Sequence, residues 1–316
     1  MLQSYKKTSG KNLQFPENHP IVSLIYLLLF MFSGAILFGL ISILIVIAMG
    51  NGEGELQEVL AGTNPNKITA IRIIQTLSSI GTFIVPAWVM SKIEARRTQY
   101  FSFAHPKALL TWIFAALLII ASAPLLELSG MLNQSLKLPP LLSDLEEWMQ
   151  NKEADLKVLT QAMLSGITYA DLGFNLFMIA LVPAIGEELV FRGILQNILS
   201  RWTKNHTAGI WITAIIFSAI HMQFYGFLPR LFMGVLFGYL LLWGKTLWLP
   251  ILAHFINNAS VVIYAFILQK QGQSLDVLDS SMELNPLWYI VSLLACATIL
   301  YYFWKNSEAK HGEQLD

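Results

Sequence analysis

The sequence predicts an all-α polytopic membrane bundle of about eight transmembrane helices with both termini in the cytoplasm. Three observations carry that prediction: a shortage of charge, apolar runs of bilayer length, and a one-sided distribution of loop cations. Of 316 residues, 55% are hydrophobic and only 13% are charged, against about 25% charged in an ordinary soluble domain. A hydrocarbon core about 30 Å thick takes roughly 20 apolar residues per helical span. Helix is the default because a lipid-exposed backbone must satisfy its own hydrogen bonds.

The first apolar run, Ile21 to Met49, is too long for a signal-peptide core and lacks a small-residue cleavage site, so it reads as a permanent span. Further spans are expected near Ile68 to Met90, Leu109 to Leu126, Leu172 to Leu199, Ala208 to Met222, Leu231 to Trp243, Trp248 to Leu268 and Leu287 to Trp304. Cytoplasmic loops carry excess Lys and Arg. With the N-terminus inside, Lys6, Lys7, Lys11, Lys92, Arg96, Arg97, Lys107, Arg201, Lys204, Lys245, Lys305 and Lys310 all fall on one side. The other side receives Glu53, Glu55, Glu58, Asp144, Glu146, Glu147, Glu153, Asp155, Asp276, Asp279 and Glu283.

The longest loop, residues 127 to 171, holds Pro139-Pro140 and then an amphipathic stretch, Leu141 to Leu164. Such a stretch suits an interfacial helix, either as a solvated connector or as a lid. The chain therefore divides into residues 1–170, with three spans and this loop helix, residues 171–268, with spans four to seven, and residues 269–316, with the last span and tail. All three belong to one compact membrane domain. Formal net charge is zero and Cys296 is the sole cysteine. A disulfide framework or Cys-cluster metal site is thereby excluded, and without a basic aromatic-laced run no nucleic-acid partner is expected. Membrane lipid is the expected surrounding, in a bacterial plasma membrane.

Ionisable side chains inside a span cost about 2.5–3.5 kcal/mol each on insertion scales and by default mark function. They gather in the second half of the chain: Glu187, Glu188 and Arg192 in span four, His221 at the end of span five, and His254 with Asn258 in span seven. Residues four apart share a helix face, whereas neighbours diverge by about 100°. Glu188 and Arg192 are thus expected to pair, leaving Glu187 to face elsewhere in a partly desolvated cavity as a candidate general base. Pro183 and Gly186 precede the pair, one removing a helical hydrogen bond and the other permitting close backbone approach. His221 is suited to orienting a water with Glu187 or to binding a metal, and His254 with Asn258 to stabilising an oxyanion. Taken singly, each of these groups is as often a packing hydrogen bond as a catalytic one; together they are a costly set for packing alone.

Three motifs now stand in order: Glu-Glu-x-x-x-Arg at Glu187, Glu188 and Arg192, Phe-x-x-x-His at Phe217 and His221, and His-x-x-x-Asn at His254 and Asn258. In these motifs the chain resembles the CPBP intramembrane proteases, the family of CAAX prenyl endopeptidases and bacteriocin-processing, Abi-like enzymes. The resemblance covers residues 170 to 265 or so. It implies an endopeptidase acting within the membrane on a peptide or lipidated protein. Glu187 would activate water with help from His221, His254 and Asn258 would hold the oxyanion, and Arg192 and Glu188 would maintain the geometry. Glu187, His221 and His254 could also supply three ligands to Zn2+ with a position open for water, although no His-Glu-x-x-His pair lies on one helix; both mechanisms stay open. Two rival readings are a catalytically silent scaffold or bacteriocin-immunity protein, and a secondary transporter with a carboxylate-histidine proton relay. The transporter lacks the paired broken helices that such folds carry in their two halves. One difficulty follows from the span boundaries: His221 falls near the outer end of span five and His254 nearer the inner end of span seven, so a common site requires tilted or offset helices.

Overall fold

The computed structural model describes residues 15–50, 52–64, 67–95, 98–279 and 284–312. Of the loop charges named above, Lys6, Lys7, Lys11, Arg96, Arg97 and Glu283, with the side chains of Glu53, Asp279 and Lys310, lie outside the described residues. The described chain is helical: α1 (Pro20–Ala48), α2 (Glu53–Ala61), α3 (Ile68–Ile93), α4 (Leu109–Ser135), α5 (Ser143–Leu164), α6 (Tyr169–Thr203), α7 (His206–Ala219), α8 (Phe227–Gly244), α9 (Trp248–Lys270) and α10 (Pro286–Gly312). Among the described residues seven helices are long and apolar enough to cross a membrane, and α7 is a shorter eighth apolar helix. The chain is an integral membrane protein. Several ends lie beyond the expected boundaries: the span drawn from Leu231 begins a turn earlier, and α4 continues to Ser135.

Local signals account for the breaks. Thr168 caps α6 reciprocally: its hydroxyl accepts from the Asp171 amide at 3.1 Å and the Asp171 carboxylate accepts from the Thr168 amide at 3.2 Å, a capping box. Asn205 caps α7 by accepting from the Ala208 amide at 3.2 Å. Lys204 and Lys245 end α6 and α8 in the left-handed conformation. The loop stretch between the third and fourth spans forms α5, which is tied to the turn after α9 by Lys157 and Gln161, both bonded to Asp276 at 2.8 and 3.1 Å. Arg72 of α3 pairs with Asp171 at 2.8 Å and donates to the Ser165 carbonyl at 3.0 Å.

Lipid is as apolar as leucine, so helices associate in membranes through close packing and hydrogen bonds. Helix α1 crosses α3 where Gly34 meets Gly81; a Cβ on Gly34 would stand 2.0 Å from the Gly81 carbonyl oxygen. Gly186 admits Phe83 and Ile84 in the same way, which is the close approach expected there. Two cores result. One joins Leu27 of α1, Ala87 and Met90 of α3, the second half of α6 and Phe217 of α7. The other joins α4, α8, α9 and α10 around Leu118, Phe237, Ala253 and Ile299. The polar groups of α6 and α9 lie between them.

Candidate active site

Helix α6 is irregular where the acidic pair sits. Residues Leu176–Leu181 and Leu189–Leu195 wind as π-helix on either side of the regular segment Val182–Glu188. Such widened turns concentrate at functional sites. Pro183 contributes, because it cannot donate to the carbonyl four residues back, and that acceptor, Ile179, is met from α9 by the Asn258 side-chain amide at 3.1 Å.

Glu188 is fully buried, and one of its oxygens does two jobs: Oε1 lies 2.9 Å from the Arg192 guanidinium and 2.8 Å from His254 Nδ1. Arg192 also donates to the Gly234 carbonyl of α8 at 3.1 Å, and Gln196, one turn on, donates to the Gly238 carbonyl at 3.3 Å. These rungs fix α6 to α8. Gly234 and Gly238 are required for them, since a Cβ on either would crowd the Arg192 or Gln196 side chain. The guanidinium is also sandwiched by aromatic faces, 4.5 Å from the Phe217 centroid and 5.1 Å from that of Phe237, and a desolvated cation gains from such contact. Phe237 stacks on the His254 ring at 5.1 Å and 22°. A buried ion pair cushioned on both faces holds the imidazole in one orientation.

Glu187 faces differently. Its side chain keeps 13% exposure, and Oε2 lies 3.9 Å from His254 Nε2, beyond hydrogen-bond range. That oxygen is buried and has no protein hydrogen-bond partner. Each of the two adjacent carboxylates keeps a buried Oε2 without a protein partner, but only Glu188 is anchored through its other oxygen, to Arg192 and His254.

His221 reaches the cluster through Phe217. Its Nδ1 lies 2.6 Å from the Phe217 carbonyl, and the two rings meet edge-on at 4.9 Å, while Phe217 meets His254 at 6.0 Å. The chain then reverses at Met222, a non-glycine residue with φ 54°, a conformation that is uncommon and often found at functional positions. The difficulty over depth has a simple origin. Helix α7 has 14 residues and spans about 21 Å, less than the hydrocarbon thickness, so its two ends cannot both sit at the membrane surfaces, and His221 is linked to His254 through the Phe217 ring. Asn258, one turn beyond His254, has its amide placed by Ile179 and by Asn257, whose Nδ2 donates to Asn258 Oδ1 at 3.0 Å.

The fit of Zn2+ to Glu187, His221 and His254 can be judged from their donor atoms. His254 Nδ1 and His221 Nδ1 are committed to Glu188 and the Phe217 carbonyl, which leaves Nε2 of each ring as the possible donor. Among the described residues no three His, Cys, Asp or Glu side chains are gathered as a metal-holding group. As spaced, Glu187, His221 and His254 do not fit the ion.

Sequence reasoning passed over Arg230, Phe237 and Asn257. Arg230 was hidden by the boundary drawn at Leu231, which left it outside the span. It lines a cavity of about 450 Å³ beneath α5, together with Glu127, Glu153 and Lys157, donates to the Gln223 carbonyl at 3.0 Å, and lies close enough to both Glu153 and Glu187 to interact with their charges. Phe237 is one of many apolar residues in its helix, and no sequence signal separates it from them.

Comparisons with known proteins agree with the motifs. Residues 170–260 match the family model described as type II CAAX prenyl endopeptidase Rce1-like, which bears out the resemblance over that stretch. The protein named "Putative membrane peptidase YdiL" of Bacillus subtilis (strain 168) is 35% identical over 104 residues, covering 33% of this chain and 41% of its own. The membrane-embedded CAAX protease MroQ of Staphylococcus aureus (strain USA300) is 33% identical over 95 residues, covering 28% of this chain and 38% of its own. An uncharacterized protein of B. subtilis, YpbD, is 29% identical over 89 residues, 27% of this chain and 42% of its own. The matches span about two fifths of these relatives. No solved structure matches the chain. Apolar helices and bacterial membrane-peptidase relatives together make the bacterial plasma membrane its location.

Proposed function

We propose that the chain is an intramembrane endopeptidase that hydrolyses a peptide bond of a membrane-associated or lipidated substrate, with Glu187 as the base that activates water. The observation that carries this reading is the unequal pair: Glu188 is held by Arg192 and His254, while Glu187 Oε2, buried and without a protein partner, faces His254 Nε2 across 3.9 Å. A carboxylate with an uncommitted oxygen beside an oriented imidazole has the reach for general-base work.

Glu187 takes a proton from water as the oxygen attacks the scissile carbonyl carbon, and His221 helps to orient that water. The tetrahedral oxyanion is met by His254 Nε2–H and the Asn258 side-chain amide. In this step His254 gives Nδ1–H to Glu188 and Nε2–H to the oxyanion. Collapse of the intermediate breaks the C–N bond, and the departing nitrogen takes the proton back from Glu187. Arg192 and Glu188 hold the imidazole in place throughout. The similarity to YdiL, named a putative membrane peptidase, and to the CAAX protease MroQ supports the reaction class.

The test is a cleavage screen with the chain purified in detergent or reconstituted in vesicles, using membrane-inserting and lipidated peptides. Wild type is expected to cut at least one class, and Glu187→Ala and His221→Ala to lose that cleavage. Cleavage surviving both substitutions overturns the assignment and leaves the silent-scaffold reading in its place.

A further inference from the structure

Asn258 carries its side-chain amide next to a helix that has been opened to receive it. Pro183 lacks the N–H that would bond the Ile179 carbonyl in an α-helix, and the π-helical stretch Leu176–Leu181 widens the turn around that carbonyl. Into this position Asn258 Nδ2 donates one hydrogen at 3.1 Å. On the other side of the same carboxamide, Asn257 Nδ2 donates to Asn258 Oδ1 at 3.0 Å. A carboxamide has two acceptor lone pairs and two donor hydrogens, and its flip is decided by its partners. Here both partners agree: oxygen toward Asn257, nitrogen toward Ile179. One N–H is left, one helical turn from the His254 ring.

We propose that Pro183 and Asn257 are positioning residues that fix the Asn258 carboxamide, so that its second N–H meets the substrate oxyanion. This rests on the peptidase reading. Pro183 acts by vacating the Ile179 carbonyl as an acceptor, and Asn257 acts by preventing the amide from rotating end for end. Preorganised donors stabilise developing charge without having to reorganise during the reaction, and a free carboxamide in a half-buried cavity would lack that property. The same contact explains why a proline stands one turn ahead of the acidic pair, in the middle of a membrane helix, where neighbouring side chains must re-satisfy the freed backbone.

Two measurements test the proposal, one of which needs no activity. In steady-state kinetics on a cleaved peptide, Asn258→Ala is expected to lower kcat about 10²–10³-fold, the usual cost of one oxyanion donor. Pro183→Ala and Asn257→Leu are each expected to lower kcat roughly ten- to a hundredfold, as misplacement does, with KM unchanged. In the Asn258→Ala background neither is expected to reduce kcat further, since both act through that amide. In thermal melting, Asn258→Ala removes the side-chain donor to the Ile179 carbonyl in both backgrounds, but in Pro183→Ala the introduced alanine supplies a backbone N–H. The melting loss on Asn258→Ala is therefore expected to be smaller in the Pro183→Ala background. Losses that multiply in kcat, or equal melting losses in both backgrounds, overturn the proposal. A chain that cleaves nothing but keeps the melting coupling rejects the peptidase reading and the oxyanion role while leaving the Pro183–Asn258 contact standing.

Discussion

His254 Nδ1 and Glu188 Oε1 stand 2.8 Å apart in a region where the carboxylate has no exposure, and the same oxygen receives Arg192 at 2.9 Å. A carboxylate that orients an imidazole by its Nδ1–H is a recurrent catalytic device. In this chain the carboxylate is itself fixed by a cation lodged between two aromatic rings. The imidazole's freedom is thus removed by a chain of contacts running from α8 through α6 to α9.

Glu188→Ala strands the buried Arg192. Removing one partner of a buried pair is expected to cost about 3–5 kcal/mol, read as a lower melting temperature in detergent. Glu188→Gln keeps the shape and loses the charge. It is expected to fold and to lower kcat roughly 10³–10⁴-fold, the order seen when the carboxylate orienting a catalytic histidine is neutralised.

Gly81→Ala is expected to loosen the crossing of α1 and α3. Its Cβ would meet Phe38 Cβ at 2.4 Å and the Gly34 carbonyl oxygen at 2.7 Å, and overpacking of this kind costs about 1–3 kcal/mol. Gly39→Ala, on the same helix as Gly34 but with nothing near its added Cβ, serves as the control. Its melting temperature should equal or exceed that of wild type.

Tyr100 gives a pH dependence whose sign can be worked out. It lies in the connector between α3 and α4, donates to buried Glu94, and is 7% exposed. Burial, reinforced by the bond to Glu94, pushes its phenol well above the usual tyrosine value. The folded state therefore holds the proton more tightly than the unfolded chain does. The resulting stabilisation is complete below about pH 10, the unperturbed value, and is lost as pH rises through the folded one. Melting from pH 8 to 11 should show wild type more stable than Tyr100→Phe at the low end, with the gap narrowing as pH passes 10. A gap that widens would contradict this account.

Much of this was legible in the sequence, for identifiable reasons. Apolar runs report spans directly, and i, i+4 spacing correctly places Glu188 beside Arg192. What escaped depends on tertiary placement. The placement of His221 depends on Phe217, whose carbonyl lies 2.6 Å from its Nδ1 and whose ring meets His254; a hydropathy run gives the length of α7 but not this contact. Spacing likewise does not reveal that His254 leans on Glu188, because the two lie 66 residues apart. Arg230 was lost to a span boundary drawn a turn too late. Phe237 and Asn257 were lost because an aromatic in an apolar helix and the first of two consecutive asparagines carry no mark of their own.

The division of labour between adjacent carboxylates is tested most directly by hydrolysis of a membrane-inserted peptide by Glu187→Gln, measured beside its melting temperature. The account predicts a kcat lower by roughly 10²–10⁴-fold, the usual contribution of a positioned base, with melting at the wild-type temperature, because Glu187 makes no direct hydrogen bond through its buried Oε2. Hydrolysis at the wild-type rate in a folded Glu187→Gln protein would contradict it.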